Sequence, residues 1–483
     1  MNPEPHTVLT EPRSTAWKPR RFLGGAFLSA ALVLVAGCAG DDSSDGQDAD
    51  AGTPDAETAE DSSAEGSSAE DSSADEESSA DDSADESPGD SESEEGDDSE
   101  SEGPASNVGG MEMIDTITTP TISPKSVVAS GDGLVIANNM MYQHTATIYD
   151  AESREMLQDL SDTLSFEDFG LEGYPDEVQG SPVEAVWSED GQYAYVSQYM
   201  LYGVGATADD ECSNGDDIAP SVIYRYNAEE EDWDDVIEVG RVPKFVEITP
   251  DGETLLVSNW CDSSLSVVDL DSGEETETVP LNTAPRGIAV LPDNSTAYVT
   301  AMHANELYKV DLDSGESELI YDDALMPRHL VLSPDGEELY VTFANSNKLM
   351  AFDTSTDEVI RETDTGEDPR SMEISPDGTA LYVVNYGEAT ASKFDAETFE
   401  ELDRQSTGEL PIGVTYESVT DTVWVANYSG TINIFEDTDE GESESEAEDE
   451  AEASGDEASG DDGSNDDGSS DGGSSGDGDS SNS

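Results

Sequence analysis

Along residues 106–436 the apolar positions recur with a period of two. The runs ETLLVSNW (253–260), STAYVTAM (295–302), EELYVTFA (337–344), TALYVVNY (379–386) and DTVWVANY (421–428) are short, β-branched and aromatic, as are SLSVVDL (264–270), NELYKVDL (305–312) and TINIFED (431–437). Such segments, bounded by turn residues every 8–12 positions, predict antiparallel strands. The turns come from TPDG, LPDN, SPDG and SPDG at Pro250, Pro292, Pro334 and Pro376, where proline presets φ and glycine accepts a positive one.

The pattern repeats. Pro243, Pro285, Pro327, Pro369 and Pro411 are 42 residues apart at every step, and Asp269, Asp311, Asp353 and Asp395 stand 26 residues after the first four of them. The same ruler reaches back to Pro124 and Pro182, with Asp132-Gly133 and Asp190-Gly191 at the turn; Asp150 holds the late position of the first unit and a displaced Asn227 that of the second. Extra residues at about 166–181 and 201–220 account for the irregular spacing, and seven units result. Seven units of four strands predict an all-β fold, a seven-bladed β-propeller of four-stranded antiparallel blades. The last unit has three strands before residue 436, so MEMIDTITT at 111–119 is expected to supply its fourth and close the ring.

The stretches AYVTAMHANELYKVDLDSGE, LYVTFANSNKLMAFDTSTDE and LYVVNYGEATASKFDAETFE resemble the YVTN-repeat (YncE-like) seven-bladed propellers over about two thirds of the chain. The resemblance implies the fold strongly and the function weakly, because propellers host enzymes, ligand binders and scaffolds alike.

The N-terminus reads as an address. Lys18, Arg20 and Arg21 precede the apolar run from Phe22 to Ala36, and Leu34-Val35-Ala36-Gly37-Cys38 follows. A basic segment, a short apolar core and small residues make a secretory signal, too short for a comfortable membrane span. The sequence around Cys38 resembles a bacterial lipobox, which implies that 1–37 is a lipoprotein signal peptide and Cys38 the lipidated first residue of an extracytoplasmic, membrane-anchored protein. Residues 38–105 then form a disordered Ser/Asp/Glu tether, 106–436 the propeller and 437–483 a disordered acidic tail.

Charge sharpens this division. The chain carries 17 Lys plus Arg against 115 Asp plus Glu, a formal charge of -98. Residues 41–105 hold 27 acids and 437–483 hold 19, with no basic residue in either, and few large apolar residues that could pay for order. So acidic a chain is repelled by nucleic acid phosphates and by anionic membrane surfaces, so no nucleic acid partner is expected.

Against that background the positive charges are informative. The residue after each repeat proline begins the innermost strand, near the mouth of the central channel: Lys125, Val183, Lys244, Arg286, Arg328, Arg370 and Ile412. Five of the 13 basic residues in 106–436 occupy this one position. A ring of cations at a channel mouth is a focused anion site; the competing reading pairs them with acids such as Glu184 or Asp368 to rigidify the ring. Glu184, Trp260, His303 and His329 are the candidate pocket residues beside it. Both insertions fall on the same face, where binding function accumulates.

Cys212 and Cys261 lie in equivalent loops of adjacent units. In an oxidising exterior this even remainder reads as a disulfide pinning the inserted loop. No Cys/His spacing suggests a metal, no motif a cofactor, and the Asp-rich turns such as DLDSGE read as Asx turns. Trp260, Tyr386 and Tyr428, 17 residues after their repeat prolines, read as an aromatic rim or as blade packing. The sequence therefore points to a monomeric propeller that binds a protein or a small anionic ligand through its loop-rich face without catalysis. The alternative is a propeller enzyme of the lactonase or quinoprotein-dehydrogenase-associated type, in which His329 works with Glu184 or Glu247 in the same pocket.

Overall fold

The computed structural model describes residues 105–141 and 143–438. The expectations for the signal peptide, Cys38, the acidic tether and nearly all of the acidic tail lie outside these residues. Seven four-stranded antiparallel sheets form the body. The innermost strands are Ser126–Ala129, Pro182–Trp187, Pro243–Ile248, Pro285–Val290, Pro327–Leu332, Pro369–Ile374 and Pro411–Glu417. Each touches the next and the seventh touches the first, so the sheets close into a ring around a central channel. This is the seven-bladed propeller that the period predicts.

The ring closes as expected. Met111–Thr118 pairs antiparallel with Thr431–Asp437 and completes the last blade from the N-terminal side. At its outer end the buried carboxylate of Asp437 accepts from the Lys393 ammonium at 2.5 Å and from the Tyr382 hydroxyl at 2.6 Å. These two donors satisfy a charge that burial would otherwise make costly.

Alternation explains the core. Each strand sends one side chain to either neighbouring blade, so the apolar layers lie between blades, as where Tyr149 of the first blade meets Trp424 of the last at 6.1 Å between ring centres. The turns also pack from blade to blade. Gly336 and Gly378 adopt φ of +71° and +73°, and a Cβ on either would come within 2.6–2.7 Å of Cδ of Pro292 or Pro334 in the preceding blade. Glycine is thus required twice over, by conformation and by space. The late Asp residues are Asx turns: Asp269, Asp311 and Asp395 accept the N–H three residues on.

The first insertion is a built element rather than a loose loop. Thr163–Leu164 pairs with Val178–Gln179, a short 3-10 helix spans Phe166–Phe169, and Phe166 is fully buried against Tyr174 and Tyr224. Cys212 and Cys261 form the expected disulfide, with Cα atoms 5.5 Å apart, which ties the second insertion to the third blade.

Candidate functional site

The backbone at the channel mouth is shaped the same way in five consecutive blades. Val242, Ala284, Met326, Asp368 and Leu410, each just before a repeat proline, have φ between 56° and 62°. The left-handed region is costly for such side chains, above all for a β-branched valine. In each blade it turns the residue's carbonyl to accept the N–H of the residue 17 past the repeat proline: Trp260, Met302, Ala344, Tyr386 and Tyr428. The position after the proline is thereby aimed at the mouth.

Four of the five sequence-predicted cations meet there in buried positions. Lys125, Lys244, Arg286 and Arg328 are 4–7% exposed. Arg370 sits further out, a quarter exposed, with its guanidinium bound to Asp368 at 2.5 Å and stacked 4.1 Å above the Tyr386 ring. Lys244 binds Asp210 at 2.7 Å and lies over Tyr199 and Trp260 at 4.4 and 4.9 Å. Arg286 faces Glu184 at 4.0 Å. Among the described residues Arg328 meets no carboxylate within salt-bridge distance; its Nε donates to the Arg370 carbonyl at 3.1 Å and Nη1 to the Met302 sulfur at 3.5 Å. The Lys125 ammonium has no hydrogen-bond partner among the described residues.

Five cations thus converge with three carboxylates, Glu184, Asp210 and Asp368. Arg286 and Arg370 have the acidic partners proposed for them; Lys125 and Arg328 do not. Burial pulls Lys125 and Arg328 well below their ordinary values, with Arg286 deepening both effects. Lys244 falls to about 8, because burial outweighs the support of Asp210. A buried cation without a counter-ion is among the costliest arrangements a fold can hold.

Trp260, with Tyr199 and Met302 at the same repeat position, is buried in one apolar cluster, and Tyr386 and Tyr428 pack against another, as the blade-packing reading has it. Tyr386 and Tyr428 pack edge to face at 6.2 Å. His303 is exposed on this face, edge-on to Trp260 at 4.8 Å. His329 lies deeper, in the wall of the channel, where its Nδ1 accepts the Met372 N–H at 3.0 Å. Burial and the neighbouring Arg286 and Arg328 push it down to about 3, so the ring is neutral. His329 is therefore not an imidazolium acid at neutral pH.

Below the cations the channel holds a cavity of about 150 Å3. Glu184 and His329 line it, and so do Glu247 and Glu373, four residues past their repeat prolines. Glu247 is therefore down the channel rather than across its mouth. Burial raises Glu247 to about 8, with a further push from Glu373, and raises Glu373 to about 7. Residue-by-residue reading of the sequence missed Glu373, although it shares the repeat position of Glu247. It also missed Asp210, which stands in an insertion with no counterpart in other blades. Among the described residues no group of three or more His, Cys, Asp or Glu is arranged to hold a metal ion.

Comparison with known proteins agrees with the architecture. A family model described as lactonase, 7-bladed beta-propeller matches residues 349–465, about a quarter of the chain. No curated protein matches the chain significantly. Among solved structures, the hydrazine synthase of Kuenenia stuttgartiensis is similar with a TM-score of 0.52 at 17% identity, over 66% of this chain and 96% of that one. A chain from the crystal structure of a mitotic checkpoint complex reaches 0.54 at 11% identity, over 67% and 91%. At such identities the likeness concerns fold alone, and 1733 chains of solved structures share it, so the fold selects no activity. The chain is a seven-bladed β-propeller whose last blades are similar to the lactonase type.

Proposed function

We propose that this protein is a binding propeller, carried outside the cell on a lipid anchor at Cys38, that takes a small anionic ligand into its channel mouth. One observation carries the reading: Lys125 and Arg328 are buried at the mouth and, among the described residues, neither has a carboxylate within salt-bridge distance, Glu184 and Asp368 acting on them only from further away. A carboxylate or phosphate between them would form charge-assisted hydrogen bonds and remove the cost of two lone buried cations. The test is a thermal-shift and calorimetric titration of the mature full-length chain with inorganic phosphate, citrate and acetate, against sodium chloride at equal ionic strength. Anion-specific stabilisation that Lys125→Met abolishes supports the site, since ligand at a hundred times its Kd raises stability by about 2.7 kcal/mol. The same response in the variant assigns it to the general surface.

A second reading, lactone hydrolysis in the same channel, is favoured by the family match over residues 349–465. With His329 neutral and its Nδ1 occupied, the acid–base work would fall to Glu247 and Glu373. Turnover of a lactone panel that Glu247→Gln removes would establish it, and absence of turnover would end it.

A further inference from the structure

The channel is bipolar. Its mouth holds the surplus of cations described above. Its deeper part holds carboxyls instead, because Glu247 and Glu373 both line the cavity and no Lys or Arg among the described residues pairs with either. Each carboxylate accepts one hydrogen bond, from the backbone N–H of its own successor, Ile248 at 3.2 Å and Ile374 at 3.1 Å. The remaining oxygens face the channel without a protein donor among the described residues. Burial raises both carboxyls and Glu373 raises Glu247 further, so an ammonium between them would relieve the cost of ionising them there.

The two sets of groups stand apart. The cations stand one residue past the repeat prolines and Glu247 and Glu373 four past, a separation of three residues or roughly 10 Å of strand rise. Between them the wall is mainly apolar, with Phe245, Leu330 and Val414 against the cavity. At its upper end the ammonium of Lys125, buried and unpartnered, lies close enough to act on Glu184 and His329, both of which line the cavity. The cavity, about 150 Å3, has room for a short flexible chain.

We infer that the ligand of this channel is a zwitterion of the ω-amino acid class, its carboxylate among Lys125, Arg286 and Arg328 and its ammonium between Glu247 and Glu373, with the methylenes against Phe245 and Leu330. This rests on the anion-binding reading of the mouth and names the ligand class for it. One ammonium suits two channel carboxyls that have no cationic partner among the described residues, and one carboxylate suits the cations at the mouth. An α-amino acid carries both charges on one carbon and cannot reach both ends.

Calorimetric titration of the full-length protein at pH 7.5 with 4-aminobutanoate, butanoate, butylammonium and glycine tests this. The expected result is that 4-aminobutanoate binds at least tenfold more tightly than butanoate or glycine, and that a Glu247→Gln, Glu373→Gln variant lowers its affinity to that of butanoate while butanoate itself is unaffected. An unchanged melting profile identifies the variant as folded; if it is not, Glu373→Gln alone and the loss of 4-aminobutanoate binding below pH 6, where both carboxyls are protonated, give the same readout. Equal affinity for butanoate and 4-aminobutanoate overturns the zwitterion and leaves the anion site standing. Equal affinity for glycine overturns the separation of charges. Binding of butylammonium with none of butanoate, phosphate or 4-aminobutanoate overturns the anion site and the zwitterion together.

Discussion

The carboxylate of Asp210, carried on the inserted loop of the second blade, lies 2.7 Å from the ammonium of Lys244 on the inner strand of the third. Two ties hold it there. The Trp260 indole N–H donates to the Asp210 carbonyl at 2.8 Å, and the Cys212–Cys261 bond fixes the loop two residues further on. Asp210 is 64% exposed while Lys244 is nearly enclosed, so the acid reaches in from solvent to occupy a cation that an incoming anion would otherwise use. Asp210→Asn should therefore raise affinity for phosphate several-fold at pH 6.5. It should also make that affinity fall more steeply towards pH 8.5, because Lys244, already depressed to about 8, loses the partner that keeps it charged. Titrations at the two pH values check both parts; identical curves for variant and parent would show that Lys244 takes no part in binding.

Reducing the disulfide should loosen this loop and leave the blades intact. The bond closes a span of 49 residues, for which the chain-entropy account gives about 4 kcal/mol at most and observed values nearer 2–4 kcal/mol. A Cys212→Ser, Cys261→Ser variant is expected to unfold at correspondingly lower urea, with an unchanged β-sheet spectrum. Its anion affinity should shift in the same direction as that of Asp210→Asn, since both free Lys244. A variant as stable as the parent would show that the non-covalent contacts of the insertion, among them those of Trp260, Tyr199 and Arg241, hold it without the bond.

Arg328 invites a trade between stability and binding. It is 5% exposed, meets no carboxylate within salt-bridge distance among the described residues and repels Arg286 and Arg370. Arg328→Met keeps an unbranched apolar stem but removes the charge together with the guanidinium's bonds to the Arg370 carbonyl and the Met302 sulfur. Replacing buried charge by a matched apolar side chain is worth about 1–4 kcal/mol. The variant should melt higher than the parent without ligand and lose the anion-induced shift. Destabilisation on this substitution would show that the bonds to the Arg370 carbonyl and Met302 sulfur outweigh the charge, and the cation would then be structural.

How far the site could be read from sequence follows from which parts repeat. The 42-residue spacing exposed the blades, the closing strand and the cation position, because each recurs at the same offset from a proline. The offset also held more than was taken from it: Tyr199 and Met302 share the position of Trp260, Tyr386 and Tyr428, and Glu373 shares that of Glu247. Asp210 and Asp162 were beyond this method. Asp210 belongs to an irregular insertion for which no neighbouring unit supplies a template, and Asp162, 38 residues past its repeat proline, shares its position with Leu281, Asp323, Thr365 and Thr407, so the roles of both come from burial and partners set by the tertiary fold. Depth was equally hidden, which is why Glu247 and His329, expected at the mouth, line the channel below it.

Asp162 offers a test of that irregular region by pH. It is 2% exposed beside the inserted hairpin, with its Oδ2 3.9 Å from Nδ1 of His144 and no hydrogen bond to that oxygen. Burial raises its carboxyl to about 7, and burial likewise lowers His144, so the two do not form a charged pair. The unfolded chain ionises this acid near pH 4, at about 3.9. Between pH 4 and 7 the folded protein consequently holds a proton that the unfolded chain has lost. Stability from this group is greatest below pH 4, declines as pH rises through the window and is fully lost above 7, at up to about 1.4 kcal/mol per pH unit. Asp162→Asn keeps the shape, abolishes the slope and should stabilise the protein most at pH 8. Because Glu247 and Glu373 tilt the profile in the same sense and Lys125 and Lys244 in the opposite one, the quantity to measure is the difference in urea unfolding free energy between parent and variant at pH 5, 6.5 and 8. That difference should widen steadily with pH. A constant difference would mean that Asp162 is ionised across the range and is stabilised by His144 after all.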